Sequence, residues 1–316
     1  MNSSSTPLVS VGIPTYNQPD FLRQAIQSVL NQTVENLEII VIDDCSTDHT
    51  PEVVREFGDT RIRYFRTAKN LRPPKSWNLA AQYALGRYFS LLPHDDLWLP
   101  NYLEKMVALA EKTPQIGFVQ CNFKVINQGG IVIIKESNLP EINFLSGLKA
   151  MDWQLLQLRC NPAALLFNLV NMKAAGLWRE DYWDDWALII HIAYKYGFIY
   201  LPEPLALVRS HDANLSKILA YEDRLGAHYV LDQLFDVFSI SLPNEPEVLT
   251  LYSREIRKIS VSLFITSLKL VLKANFRDAR LAYQASRNIN PLIPFDYKII
   301  VRILRKMLYS SDSLLK

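Results

Sequence analysis

Glycine is scarce in this sequence, with 10 residues in 316. No G-x-G-x-x-G follows the first apolar run, and no G-x-x-x-x-G-K-[ST] occurs. A phosphate cradle built from glycine backbone amides is therefore excluded. Cysteine is scarcer still. Cys45, Cys121 and Cys160 form an odd, widely spaced set without a C-x-x-C. Neither a disulfide framework nor a zinc site is expected, and a reducing, cytoplasmic setting fits best. No uncharged apolar run reaches the roughly 18 residues of a membrane span. The leading MNSSSTPLVSV lacks the basic and apolar regions of a secretory signal, so none is expected. What remains is 49% hydrophobic and 21% charged, which suits one large globular domain or a domain with an extension.

The near-neutral net charge of +2 hides an asymmetry. Residues 250–316 hold 13 Lys/Arg against 4 Asp/Glu, and the remainder holds 21 against 28. A mildly acidic body carries a basic tail, and the body is not expected to bind nucleic acid.

In chain order, short apolar runs alternate with helical patterns. Residues 8–13 (LVSVGI) read as a strand ended by Pro14, with Pro14-Thr15-Tyr16-Asn17 as a polar turn. Helical spacing follows over 19–32. A second strand over 37–42 ends in Asp43-Asp44, and Asp48 is placed to cap a helix over 49–57. A third strand over 61–65, a helix over 75–85 and a fourth strand over 88–92 come next. A helix over 99–112 and a fifth strand over 116–120 complete the series. This alternation is that of a parallel sheet covered on both faces, in which ligands sit beyond the carboxyl ends of the strands. Three of those ends carry polar sequences: PTYN, DDCSTD and HDD.

The fourth of these strands delivers LLPHDDLWLP, residues 91–100. Read alone, Asp95-Asp96 is most simply a solvated, capping turn. Adjacent carboxylates repel, however, and burying them is costly unless a cation sits there. Clustered acids do not touch phosphate directly but suit a divalent ion that bridges carboxylate and diphosphate oxygens. Tyr16, between Thr15 and Asn17, is suited to stacking on a base.

Three segments, VSVGIPTYNQPDFLRQAIQSVLNQT (9–33), LEIIVIDDCSTDHT (37–50) and LGRYFSLLPHDDLW (85–98), resemble the family 2 glycosyltransferases. The resemblance covers roughly residues 8–212. It implies an α/β, GT-A-like Rossmann-type mixed sheet flanked by helices, a nucleotide-diphosphate sugar donor (most commonly a UDP-sugar), Mg²⁺ or Mn²⁺, and transfer with inversion. By that similarity Pro14, Thr15, Tyr16 and Asn17 line the nucleoside pocket, Asp44 bonds the base and Asp43 positions its loop. Asp96 falls on the metal position and Asp95 on the sugar or ribose position. His94 stands where many members have an acid, a departure with no assigned role. Within NLRPPKSWN (70–78), Lys75 is weighed equally as a diphosphate contact and as a solvated loop residue, and Arg72 is read as solvated.

Beyond residue 120, residues 121–134 read as a hairpin turning at Asn127–Gly130, 135–150 as a loop, 146–158 as a helix and 163–170 as a strand. In WDDWALIIHIAYKYG (183–197), Asp184 and Asp185 precede an apolar helix, where capping alone would explain them. The resemblance assigns Asp185 as the catalytic base, with His191 standing where relatives often carry Arg. An acceptor hydroxyl must lose a proton as it attacks, so a base is required. After a strand, residues 209–211 (RSH) match an Arg-x-His pattern, and His211 joins Asp96 as a metal candidate.

From residue 217 the pattern is helical and without site motifs. Lys298, Arg302, Arg305 and Lys306 lie among apolar residues. Such a basic amphipathic helix is read first as a helical cap, with peripheral contact at the inner face of a membrane as the second reading. The sequence thus describes a catalytic domain over 1–216 and a helical C-terminal extension over 217–316. Its activity is expected to be metal-assisted transfer of a sugar to a saccharide or lipid-linked acceptor, in cell-surface polysaccharide or glycolipid synthesis. The alternatives are a non-catalytic nucleotide-sugar-binding protein of the same fold and a nucleotidyltransferase-like enzyme. The second lacks its expected glycine-rich loop.

Overall fold

The first strand, β1 (Val9–Thr15), is buried along its whole length. Its neighbours β2 (Leu37–Asp43) and β4 (Tyr88–Leu91) are buried throughout as well. Apolar runs without alternation mark strands covered on both faces. The computed structural model describes residues 6–134, 139–157, 161–178, 180, 186–212, 214, 250 and 254. The chain divides into two compact units, Met1–His211 and Asp212–Lys316. The expected boundary at residue 216 and the tail helices lie outside the described residues.

The sheet has ten strands in the order β3-β2-β1-β4-β9-β6-β10-β5, with β7 on β6 and β8 on β10. With β3 (Ile62–Arg66), the first four strands are parallel, linked by α1 (Pro19–Leu30), α2 (Thr50–Glu56) and α3 (Lys75–Tyr83). Short β5 (Leu97–Trp98) and α4 (Tyr102–Glu111) lead to β6 (Phe118–Ile126). Then come β7 (Val132–Ile134), β8 (Ile142–Leu145), α5 (Gly147–Gln157), β9 (Leu165–Asn168) and α6 (Leu169–Ala174). Helix α7 (Trp186–Tyr196) and β10 (Phe198–Arg209) finish the unit. Strand β9 runs antiparallel to both β4 and β6, so the sheet is mixed, as the family resemblance implies.

Each face has its own core. Val9, Val11 and Ile13 of β1 meet Leu22, Ile26 and Met106 on one side. Ile40, Ile42 and Phe89 meet Ala80, Trp178, Ile189 and Ile192 on the other. Each fully buried Leu, Ile or Phe side chain contributes ~1.5–3 kcal/mol. Helix α3 approaches β1 so closely that a Cβ on Gly12 would lie 2.7 Å from Ala80 Cβ.

Pro14 does not end β1, which continues to Thr15. The Leu92 N–H donates to the Gly12 carbonyl, so Gly12 faces β4, and by alternation Pro14 faces the same side. Strand β4 pairs with β1 only as far as Gly12, so no ladder bond is lost where proline lacks its N–H. The expected hairpin forms between β6 and β7. The loop expected over 135–150 instead contains β8, paired to β10. The 163–170 run splits into β9 and the start of α6, where the Asn168 side chain accepts from the Asn171 N–H.

Candidate active site

The carboxyl ends of β1, β2, β4 and β10 are tied together by hydrogen bonds. The Thr15 carbonyl accepts from the Asp44 N–H at 2.9 Å, joining β1 to β2. Asn17 sits at a left-handed φ of 50°. Its N–H donates to Ser46 Oγ at 3.0 Å and its Oδ1 accepts from the Thr47 N–H at 2.8 Å. Asn17 thus closes the β1 turn onto the DDCSTD loop. His94 Nδ1 lies 3.1 Å from the Pro14 carbonyl, joining the β4 turn to the tip of β1. A carbonyl only accepts, so this nitrogen carries the proton. The role of His94, unassigned from sequence, is to bridge two strand ends.

The two acids of the β2 tip divide their work. Asp43 is fully buried. One of its oxygens accepts from the Ser46 N–H at 2.8 Å and the other from the Tyr64 hydroxyl. Burial, then this bond to Asp43, pushes the Tyr64 hydroxyl well above its usual range. Asp43 therefore shapes the loop from behind. Asp44 accepts from the Leu71 N–H at 2.7 Å, the Arg72 N–H at 2.8 Å and Thr67 Oγ1 at 3.1 Å. It anchors the 67–72 loop and keeps one of a carboxylate's roughly four acceptor sites open. Thr15 is 2% exposed, and its Oγ1 is buried without a partner. Such an orphan costs about 1–3 kcal/mol unless a ligand satisfies it. Tyr16 is 43% exposed at the lip. Lys75 is exposed at the start of α3 and forms no ion pair among the described residues.

At the β4 tip, Asp96 is 3% exposed. Its Oδ1 accepts from the Arg209 N–H at 2.8 Å, and its other oxygen takes no hydrogen bond among the described residues. Burial, reinforced by the adjacent Asp95 charge, raises the Asp96 carboxyl well above the usual range, against the pull of Arg209. Asp95 behaves oppositely. Burial alone would raise it, but the hydrogen bond from His211 and the nearby imidazoles outweigh that and hold it below the usual value. His211 Nε2 lies 3.0 Å from Asp95 Oδ2, and its ring lies 5.2 Å from that of Phe21.

The structure therefore brings together Pro14, Thr15, Asn17, Asp43, Asp44, Asp95, Asp96 and His211, with Tyr16 at the rim. Asp185 lies outside the described residues, immediately before α7. Among the described residues no group of three or more His, Cys, Asp and Glu side chains converges as a metal cage. The one carboxylate oxygen there without a hydrogen bond among the described residues is on Asp96, a donor of the kind hard cations take, while Asp95 and His211 are bonded to each other. Sequence reasoning missed Arg209 as a bonded centre of this turn. The signal was a lone cation closing the otherwise apolar LALVR run.

Residues 10–169 match the profile of glycosyl transferase family 2. A glycosyltransferase of Haemophilus influenzae is 40% identical over 234 residues, covering 68% of this chain and 69% of that protein. The UDP-Glc:alpha-D-GlcNAc-diphosphoundecaprenol beta-1,3-glucosyltransferase WfgD of Escherichia coli is 38% identical over 125 residues. That match covers 40% of this chain and spans about half, 49%, of the relative's length. Among solved structures, S. aureus TarS 1–349 in complex with UDP-GlcNAc superposes with a TM-score of 0.57 at 16% identity, covering 89% of this chain and 91% of that one.

Proposed function

The chain belongs to glycosyl transferase family 2, and on that premise we propose that it moves a sugar, with inversion, from a UDP-sugar to an acceptor hydroxyl. One observation carries this reading. A buried carboxylate, Asp96, stands beside the Asp95–His211 pair at the carboxyl edge of the sheet, with its proton affinity raised by burial. Two acids kept there without a glycine loop call for a cation and a diphosphate.

Asp96 would hold the ion through its open oxygen. Asp95 and His211 flank it, and His211 would share or exchange its Asp95 hydrogen bond to join. Bound there, Mg²⁺ or Mn²⁺ supplies a positive charge that stabilises the diphosphate leaving group. Thr15 offers its unpartnered hydroxyl, Tyr16 its face and Asp44 its remaining acceptor site to the nucleoside. Asp43, Asn17 and His94 hold these groups in register. Asp185 takes the proton of the acceptor hydroxyl as that oxygen attacks the anomeric carbon, and the bond from that carbon to the diphosphate oxygen breaks on the opposite face. One base suffices, because the leaving diphosphate departs without protonation by a second carboxyl.

The UDP specificity draws support from the UDP-glucose in the E. coli relative's name and the UDP-GlcNAc bound to TarS. The diphosphoundecaprenol acceptor in that name favours a lipid-linked saccharide in surface polysaccharide synthesis. A peripheral position at the inner membrane face follows from such an acceptor. Among the described residues no helix is long and apolar enough to cross a membrane.

The test is a panel of UDP-, dTDP- and GDP-sugars with Mn²⁺ and lipid-diphosphate saccharides, with products read by proton NMR. Transfer from a UDP-α-sugar to give a β-linkage is expected. Retention of the α-configuration, or binding of no nucleotide sugar at all, would refute the proposal.

A further inference from the structure

We propose that Arg209 is a positioning residue that clamps the Asp95–Asp96 turn to the Asn127–Gln128 turn of the β6–β7 hairpin, so that the hairpin's seating sets the geometry of both acids. The functional meaning of the clamp rests on reading those acids as the donor site.

Arg209 is 2% exposed at the end of β10. Its Nε–H donates to the Asp95 carbonyl at 2.8 Å. Nη1 donates to the carbonyls of Gln128 at 2.7 Å and Asn127 at 3.4 Å. Nη2 donates to Gln24 Oε1 on α1 at 2.9 Å. The guanidinium carbon lies 4.7 Å from the centre of the Phe21 ring, and the Arg209 backbone N–H holds Asp96 Oδ1 at 2.8 Å. One residue thus touches both acids of the turn, a hairpin turn and a helix. The hydrogen-bond partners lie 81 to 185 positions away in sequence.

The geometry of the fan is what a clamp requires. Burying a guanidinium is costly unless its donors are bonded. The bonds named above go to three main-chain carbonyls and one amide oxygen. Asp96, held by the Arg209 backbone N–H, keeps a second oxygen that takes no hydrogen bond among the described residues. The planar fork reaches acceptors on opposite sides at once, whereas an ammonium offers three donors from one atom. Lysine therefore preserves the charge but not the clamp.

Hydrogen–deuterium exchange of the full chain without ligand tests this. In Arg209→Lys, exchange over 93–96 and 127–131 should rise together by about tenfold, with β1 and β2 unchanged. Mn²⁺-dependent affinity for UDP should fall by about tenfold. Gln24→Ala removes one anchor from an exposed position on α1 and keeps the fold. It should show the same two changes at about two- to threefold. Unchanged exchange over 93–96 in both variants overturns the clamp. So does a turn that loosens in Arg209→Lys while UDP binds as in wild type. Exchange needs no ligand, so it decides the clamp even if wild type binds no UDP, an outcome that would instead overturn the donor-site reading.

Discussion

Asp96 carries an unfavourable burden for a carboxylate. Burial and Asp95 raise its proton affinity, and the backbone N–H and charge of Arg209 offset this only in part. A group whose folded pKa lies above its unfolded value stabilises the fold below the unfolded pKa. That contribution is lost as pH rises through the folded value. At neutral pH without metal, Asp96→Asn should therefore melt no lower than wild type while losing the ligand-induced rise in Tm. A melting temperature well below wild type would show that the carboxylate serves the fold. For the same reason, Mn²⁺-dependent donor binding should weaken on acidification already above the ordinary aspartate range near ~3.9. Titration calorimetry across that range checks it. Asp185, the proposed base, is given the complementary role. Asp185→Asn should lower kcat by about 10²–10⁴-fold and leave donor binding intact. Near-normal turnover would remove Asp185 from the mechanism.

Two contacts between elements bear on the site. Gly12 lets α3 lie against β1, and a methyl there would strike Ala80 and Phe89. Gly12→Ala should cost about 1–3 kcal/mol in urea unfolding. Asn78 of α3 grips residue 178 at both its N–H and its carbonyl, at 3.0 and 2.7 Å, just before the stretch that carries Asp185. Asn78→Ala leaves both groups of a buried backbone unpaired and should cost about 2–4 kcal/mol by the same measurement. The alternation of strands and helices and the three polar strand ends were legible in the sequence, because periodicity and the charge at strand tips are local signals. Pro14 misled because its tolerance depends on where β4 stops pairing, a fact of register and not of composition. Two-residue β5 and half-exposed β8 carry too little pattern to be seen. Direction was hidden too, since the apolar LLFN of β9 reads alike in a parallel or an antiparallel strand. Within the site, the acids were visible as adjacent charges. The division between Asp43 and Asp44, the bridge made by His94 and the fan of Arg209 depend on pairings across 20 or more positions.

At the scale of the whole chain, a mildly acidic body is joined to a segment with 13 basic and 4 acidic residues over 250–316. If that segment meets an anionic surface, removing it should abolish co-sedimentation with phosphatidylglycerol vesicles at low salt. Equal sedimentation with and without it would assign the basic residues to an ordinary solvated surface. On the proposed function, the carboxyl edge of the sheet is a cation-dependent nucleotide-diphosphate site built on Asp96. The most direct measurement is calorimetric titration of UDP into wild type and Asp96→Ala, each with Mn²⁺ and with EDTA. Binding by wild type in Mn²⁺, its loss in EDTA, and a weakening of at least about tenfold in Asp96→Ala are predicted, a change of about 1.4 kcal/mol. Equal UDP affinity in all four titrations would contradict the account.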